Sequence, residues 1–316
     1  MDSRARAIAV GVGFVVLALV PALAAVMNQP FYLDLFRRIM IFAIAAVSLD
    51  LILGYGGMVS FGHAAYLGLG AYAVAIPAFY GVQSGVVQWT LAVVLSGVVA
   101  LLIGAVSLRT SGVSFIMITL AFAQMLYFLA ISLKQFGGDD GLTINARSDF
   151  GLFSLRTNVA LYYCTFVVLI AVLLGVSRLV HSRFGMVIRG GRSNGRRMEA
   201  LGFPMLRYKL TAYVISALVC VLAGVLLANL TKFAAPSYMA WQASGDLIVM
   251  IVLGGMGTVL GPVVGALALI VFEEVLTGWT THWMIVLGPV IVLIVLTANK
   301  GLYGYIVERD ARRRLP

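Results

Sequence analysis

Apolar residues in this sequence come in long blocks separated by short polar stretches. A helix needs about 20 apolar residues to cross roughly 30 Å of hydrocarbon, fewer where protein protects its ends. On that length rule the pattern predicts spans at 7–27, 39–53, 64–80, 87–108, 111–133, 159–180, 210–230, 246–260, 262–277 and 282–298. Several are short and interrupted by glycine, so a re-entrant reading stays open for the second and eighth. The first block is longer than a typical signal-peptide core and lacks a small-residue cleavage site, and it reads as a retained span. The fold class is therefore an all-α integral membrane protein with about ten transmembrane helices, one transmembrane domain over 1–316.

Charge orients these spans. The stretch 183–209 holds Arg183, Arg189, Arg192, Arg196, Arg197, Arg207 and Lys209 against one acid, Glu199. Loops rich in Lys and Arg stay in the cytoplasm, so 181–209 is read as a basic cytoplasmic loop. Counting outward from it puts the N-terminus and a basic tail at 299–316 in the cytoplasm as well. The pair Arg37-Arg38 breaks the rule, falling near the outer face, where it would snorkel. A mean hydropathy of +1.04 and 11% charged residues exclude an ordinary soluble domain. The net charge of +10 sits in the basic loop and the two ends, so it marks topology and a membrane or partner contact, not nucleic acid.

Glycine marks the candidate route. Gly56-Gly57-Met58 and Gly254-Gly255-Met256 lie inside apolar sequence, each followed by further glycines. A missing side chain permits close helix packing or an unwound backbone, and unwound backbone at membrane depth must be buried in protein or line a wet cavity. Gly54, Gly56, Gly57, Ser60, Gly62, His63, Gly254 and Gly255 are thus candidates for a translocation pathway or a helix seam. Ser60 and His63 would share a face if their segment is helical. Ten spans split into five plus five, so two five-helix inverted repeats are an alternative organisation, although the two Gly-Gly-Met segments do not match under such an inversion. Asp50, inside an apolar block, faces the bundle or is hydrated near its cytoplasmic end. Asp246 opens the eighth span, where a negative charge suits a helix N-terminus, and Glu273-Glu274 read as interfacial. The small-residue faces 97–104 and 254–265 offer close packing to another subunit.

No catalytic constellation or metal framework is visible. The histidines, His63, His181 and His282, are scattered, the two cysteines lie in apolar runs, and no G-x-x-x-x-G-K-[ST] phosphate loop is present. Energy for transport would come from another subunit or from an ion gradient.

The segment from Gly54 to Tyr72, reading G-Y-G-G-M-V-S-F-G-H-A-A-Y-L-G-L-G-A-Y, resembles the signature of LivM-type permeases of branched-chain amino acid ABC importers. The likeness continues through Ser182-Arg183-Phe184-Gly185, Glu199-Ala200-Leu201-Gly202 and Leu253-Gly254-Gly255-Met256-Gly257. It departs at Met58, where the family usually has glutamine, and at Ser193, Gly195, Arg197 and Met198, which make the loop more basic. The resemblance implies a permease subunit that binds no cofactor itself. Its partners would be a LivH-like second permease, two ATPase subunits carrying ATP and Mg, and a periplasmic binding protein. It further implies a bacterial inner-membrane location and a coupling helix in the basic loop, with Arg183, Arg192, Glu199, Ala200 and Gly202 as contact candidates. Urea or a small carboxylate is an alternative substrate, and a stand-alone gradient-driven transporter is the alternative class.

Overall fold

The computed structural model describes residues 3–26, 29–151 and 154–279, with isolated positions between 282 and 304. The chain is built from α1 (Ser3–Val26), α2 (Pro30–Asp50), α3 (His63–Phe79), α4 (Gly85–Ser107), α5 (Val113–Ser132), α6 (Asn158–His181), α7 (Arg183–Ala200), α8 (Met205–Thr231), α9 (Trp241–Gly254) and α10 (Gly261–Trp279). Local chemistry sets several boundaries. Pro30 starts α2 with a preset φ, and the side chains of Thr157 and Ser182 accept from the backbone N–H of Ala160 and Gly185 to cap α6 and α7. Nine of the expected apolar blocks fall on helices, while the block at 282–298 and the tail at 299–316 lie, but for a few positions, outside the described residues. Among the described residues, α4, α5, α6, α8 and α10 are long and apolar enough to cross a membrane; α3, α9 and the 11–24 stretch of α1 are apolar but shorter.

The core forms around α8, which packs against α2, α3 and α4. Its contact with α3 is backbone-close: a Cβ on Gly70 would meet Val225 N at 3.0 Å and Gly224 Cα at 3.1 Å, so both positions require the smallest residue. Gly104 of α4 instead makes room for side chains of α8, with Leu210 Cδ1 at 2.7 Å and Tyr213 Cδ1 at 3.0 Å from where a Cβ would sit. Gly104 of the 97–104 stripe is therefore used inside the chain, whereas Gly97 is partly exposed and only Leu218 Cδ2, at 3.6 Å, lies near a built Cβ. The glycines of 254–265 likewise close the α9–α10 hairpin, where a Cβ on Gly265 would meet Gly254 N at 2.8 Å.

At the end of the bundle opposite α7, the segment between α5 and α6 folds back over the helices. Its strand β1 (Leu142–Thr143) pairs antiparallel with β2 (Phe233–Ala234) after α8. Arg147 pins this cover: Nε donates to the Asn229 carbonyl at 2.8 Å, and Nη1 to the Arg156 carbonyl at 3.1 Å and the Asn158 Oδ1 at 2.8 Å. Burial pushes its guanidinium below the ordinary value.

The same end explains Arg38 and also Arg37, which does not snorkel. Arg37 is 1% exposed, pairs with Asp34 and donates to the Leu33 carbonyl and to Asn158. Arg38 pairs with Glu273 of α10 at 3.2 Å. Protein partners replace water around Arg37, while Arg38 keeps 41% exposure beside Glu273, which is thus an ion-pair partner and not simply interfacial. Asp246 does not open its helix either, because α9 begins five residues earlier at Trp241.

Candidate translocation and coupling site

The two glycine breaks meet at the α7 end. Asp50, the last residue of α2, is 2% exposed, and its Oδ1 accepts from the backbone N–H of Gly257 at 2.9 Å. Beyond it the chain loosens into one π-turn, Leu51–Tyr55. The Gly54 carbonyl points out of that turn and accepts from Arg192 of α7. A side chain at Gly54 would overlap the Asp50 carboxylate and the Gly257 backbone. Gly257 has φ 76°, a left-handed conformation that an L side chain resists. At Gly57 a Cβ would come within 2.9 Å of the Arg192 Cγ, so the arginine stem lies directly over this backbone. Gly56 is enclosed by its own turn, with the Ile52 carbonyl 2.7 Å from where a Cβ would sit.

Asp50, Gly54, Gly57 and Gly257 therefore form one junction under Arg192. Both Gly-Gly-Met segments lie at this same end, whereas an inverted repeat would put equivalent segments at opposite ends, so they are not repeat equivalents. Gly254 and Gly255 serve the α9–α10 turn beside this junction: Gly255 N–H donates to the Ile251 carbonyl at 2.9 Å. A pocket of about 210 Å³ opens next to it, lined by Gly57, Met58, Thr110, Phe115, Arg192 and Lys209. Met58, 7% exposed, supplies a thioether to the wall where the resemblance would place an amide.

From Gly56 the chain runs irregularly to Gly62, and α3 starts at His63, opposite the middle of α8. Ser60 and His63 therefore do not share a helical face. The Ser60 hydroxyl accepts locally from Gly62 N–H at 3.2 Å. Gly62 passes α5, where a Cβ would sit 2.8 Å from the Thr119 carbonyl. The start of α3 is satisfied by side chains from elsewhere: Ala64 N–H donates to the Ser244 hydroxyl of α9 at 3.0 Å. His63 is fully buried, with Nε2 2.7 Å from the Ser216 hydroxyl, which itself donates to the Ser48 carbonyl. Its ring meets Tyr66 and Tyr213 edge-on, and those two phenols are joined at 3.0 Å. His63 thus sits in the α3–α8 seam, walled by aromatic and hydroxyl groups. Among the described residues its Nδ1 has no hydrogen-bond partner.

The basic loop is a broken amphipathic helix. α7 buries Gly185, Val187, Ile188 and Gly191 against the bundle, then kinks at Asn194 (φ −159°, ψ 97°). The Asn194 side chain accepts from Arg197 N–H at 3.0 Å and caps a second short stretch. That stretch carries Glu199 and Ala200 and leads to Leu201, which is 68% exposed. Gly202 follows at φ 90° with nothing within 4 Å of a built Cβ. Its glycine serves the turn, while close seating on a partner, expected from the sequence, is not needed within the chain. Arg183, at the start of α7, is exposed. Of the loop candidates Arg192 reaches the glycine junction, whereas Arg183, Glu199, Ala200 and Gly202 are exposed.

Sequence reasoning missed Gly257 as the partner of Asp50, and Ser216, Tyr213 and Ser244 as the shell around the α3 start. Hydroxyl groups in α8 and α9 were the available signal, because a buried helix start needs acceptors from somewhere.

A family model described as branched-chain amino acid transport system / permease component matches residues 31–295. The high-affinity branched-chain amino acid transport system permease protein LivM of Salmonella typhimurium is 27% identical over 296 residues, covering 85% of this chain and 69% of that protein. LivM of Escherichia coli is 26% identical over the same length and the same shares. The LivH permease protein of Escherichia coli is 24% identical over 287 residues, covering 83% of this chain and 91% of that relative. No solved structure matches. With a match that extends from the start of α2 past the end of α10, this chain belongs to the branched-chain amino acid transport permease family and is of the LivM type.

Proposed function

We propose that this chain is the membrane permease subunit of an ATP-binding-cassette importer and forms the route for branched-chain or related amino acids delivered by a periplasmic binding protein. It works beside a LivH-like second permease and two ATPase subunits that hold ATP and Mg. It lies in the bacterial inner membrane as a single multi-pass domain of about ten spans, with both termini and the α7 end in the cytoplasm, an orientation that the arginine excess of 183–209 supports. A five-plus-five repeat remains the proposed internal plan.

The observation that carries this reading is the position of Arg192. It stands on the helix of the basic loop and is bonded to Gly54 in one glycine break, beside Gly257 of the other. A soluble partner that moves α7 would thereby act on both breaks at once. The second stretch of α7, with Glu199, Ala200 and Gly202, is the exposed part left to receive such a partner. Arg196 and Arg197 there suit acidic groups on it.

The test is uptake of radiolabelled leucine by proteoliposomes containing this chain, the companion permease and both ATPases. Uptake is expected to require internal ATP and the binding protein outside. Uptake that runs on an ion gradient in the absence of ATP would make the chain a gradient-driven transporter, and ATP-driven uptake of urea or a small carboxylate in place of leucine would reassign the substrate.

A further inference from the structure

Near the end of the bundle opposite α7, three helices bring one charged residue each to a common pocket of about 100 Å³. They are Arg38 of α2, Asp246 of α9 and Glu273 of α10. Each is followed, one turn toward the α7 end, by an apolar residue on the same face: Phe42, Met250 and Leu269, which line the same pocket. The spacing is four residues in every case, so the two tiers lie about 6 Å apart along the helices. The helix directions make this register possible. α2 and α9 end side by side, as the Asp50–Gly257 bond shows, and α10 returns antiparallel, so Leu269 precedes Glu273 while Phe42 and Met250 follow their charges.

The charged tier is not a closed ion pair. Arg38 uses Nη2 on both Glu273 oxygens, at 3.2 and 3.3 Å, and among the described residues its Nη1 and Nε have no partner. Asp246 has no hydrogen-bond or ion-pair partner among the described residues and is solvent-accessible. One guanidinium against two carboxylates leaves the tier with one excess negative charge. Intramembrane charges face a bundle interior or a wet cavity and not lipid. Arg38 and Glu273 keep 41% and 25% exposure at this pocket, as charges that face a wet cavity do.

We propose that this pocket is a transient binding site for a zwitterionic α-amino acid with a branched aliphatic side chain. The ligand ammonium takes the unpaired Asp246 carboxylate. Its carboxylate takes the free N–H groups of Arg38, which still holds Glu273. The side chain enters the tier of Phe42, Met250 and Leu269, where a few oriented polar groups over an apolar floor give both orientation and selectivity. This deepens the proposed function and rests on it.

The complete importer carrying Asp246→Asn, reconstituted with the companion permease, ATPases and binding protein, tests the site. Leucine uptake is expected to fall at least tenfold at wild-type assembly yield, and Asp246→Glu to keep at least a third of wild-type uptake. Uptake by Asp246→Asn that falls less than tenfold overturns the site, as does an Asp246→Glu variant keeping less than a third. Should Asp246→Asn fail to assemble, Asp246→Ala replaces it under the same criterion, and failure of both to assemble assigns the carboxylate to folding and also overturns the site. A wild-type complex that imports no leucine overturns the proposed function itself.

Discussion

Arg192→Ala removes the guanidinium that donates to the Gly54 carbonyl and lifts the side-chain stem off Gly57. A hydrogen bond from a charged donor contributes about 1.5–3 kcal/mol. The Arg192 residue is exposed apart from that contact, so water competes for the guanidinium and lowers the contribution to about 1–2 kcal/mol. Since every 1.4 kcal/mol is tenfold, undocking of the first part of α7 should become about 5–30 times more frequent. Amide hydrogen exchange on the purified protein reads this directly, because protection there reports local opening. Amides at 187–191 should exchange faster by that factor, while those at 196–200, already exposed beyond the Asn194 kink, should not change. Arg192→Lys, with a single ammonium in place of the planar fork, should fall between the two. Exchange at 187–191 within twofold of wild type would refute the junction as the anchor of α7. In the reconstituted importer the same variant should lower uptake while leaving the chain inserted, because five arginines of the loop remain to set topology.

Gly265→Ala forces a methyl against Gly254 N at 2.8 Å and should cost about 1–3 kcal/mol or more; Gly97→Ala, with Leu218 Cδ2 at 3.6 Å, should be nearly neutral, and thermal midpoints in detergent separate them. His63→Ala deletes a fully buried ring and its contact with Ser216, so about 2–4 kcal/mol of stability should be lost. Uptake per assembled complex should stay within twofold of wild type, and a larger loss would return His63 to the route. Arg147→Ala leaves the Asn229 and Arg156 carbonyls without this donor, while the Asn158 side chain keeps Arg37, at a cost of about 2–4 kcal/mol. Limited proteolysis should then cut within 133–157 at far lower protease than in wild type.

Length and charge are local properties, and they made the helical membrane class readable before any tertiary contact was known. An apolar block either is long enough to span or is not, and arginines accumulate where the chain is not translocated. Gly54, Gly57 and Gly254 were likewise visible as places where a side chain is missing. The resemblance added the family, which the match over 31–295 established. Placement of the glycines was a different matter. Gly70 serves a seam with α8, Gly57 lies under an arginine, and Gly202 holds a turn in open solvent; the residue type is the same in all three.

What only the tertiary structure decided is which helix stands next to which. Helices α4, α5 and α8 are apolar on nearly all sides, so their sequences carry no stripe that names a buried face. Partner choice then depends on backbone-close glycine contacts and on polar groups that must be satisfied away from water. Asp50 finds Gly257 across 207 residues, and His63 finds Ser216 across 153. Arg37 and Arg38, an exception to the charge rule along the chain, become ordinary once Asp34, Asn158 and Glu273 surround them. The charged tier of Arg38, Asp246 and Glu273 has no local signature, because its three members come from three different helices. Only the parallel run of α2 and α9 with the returning α10 sets them at one level.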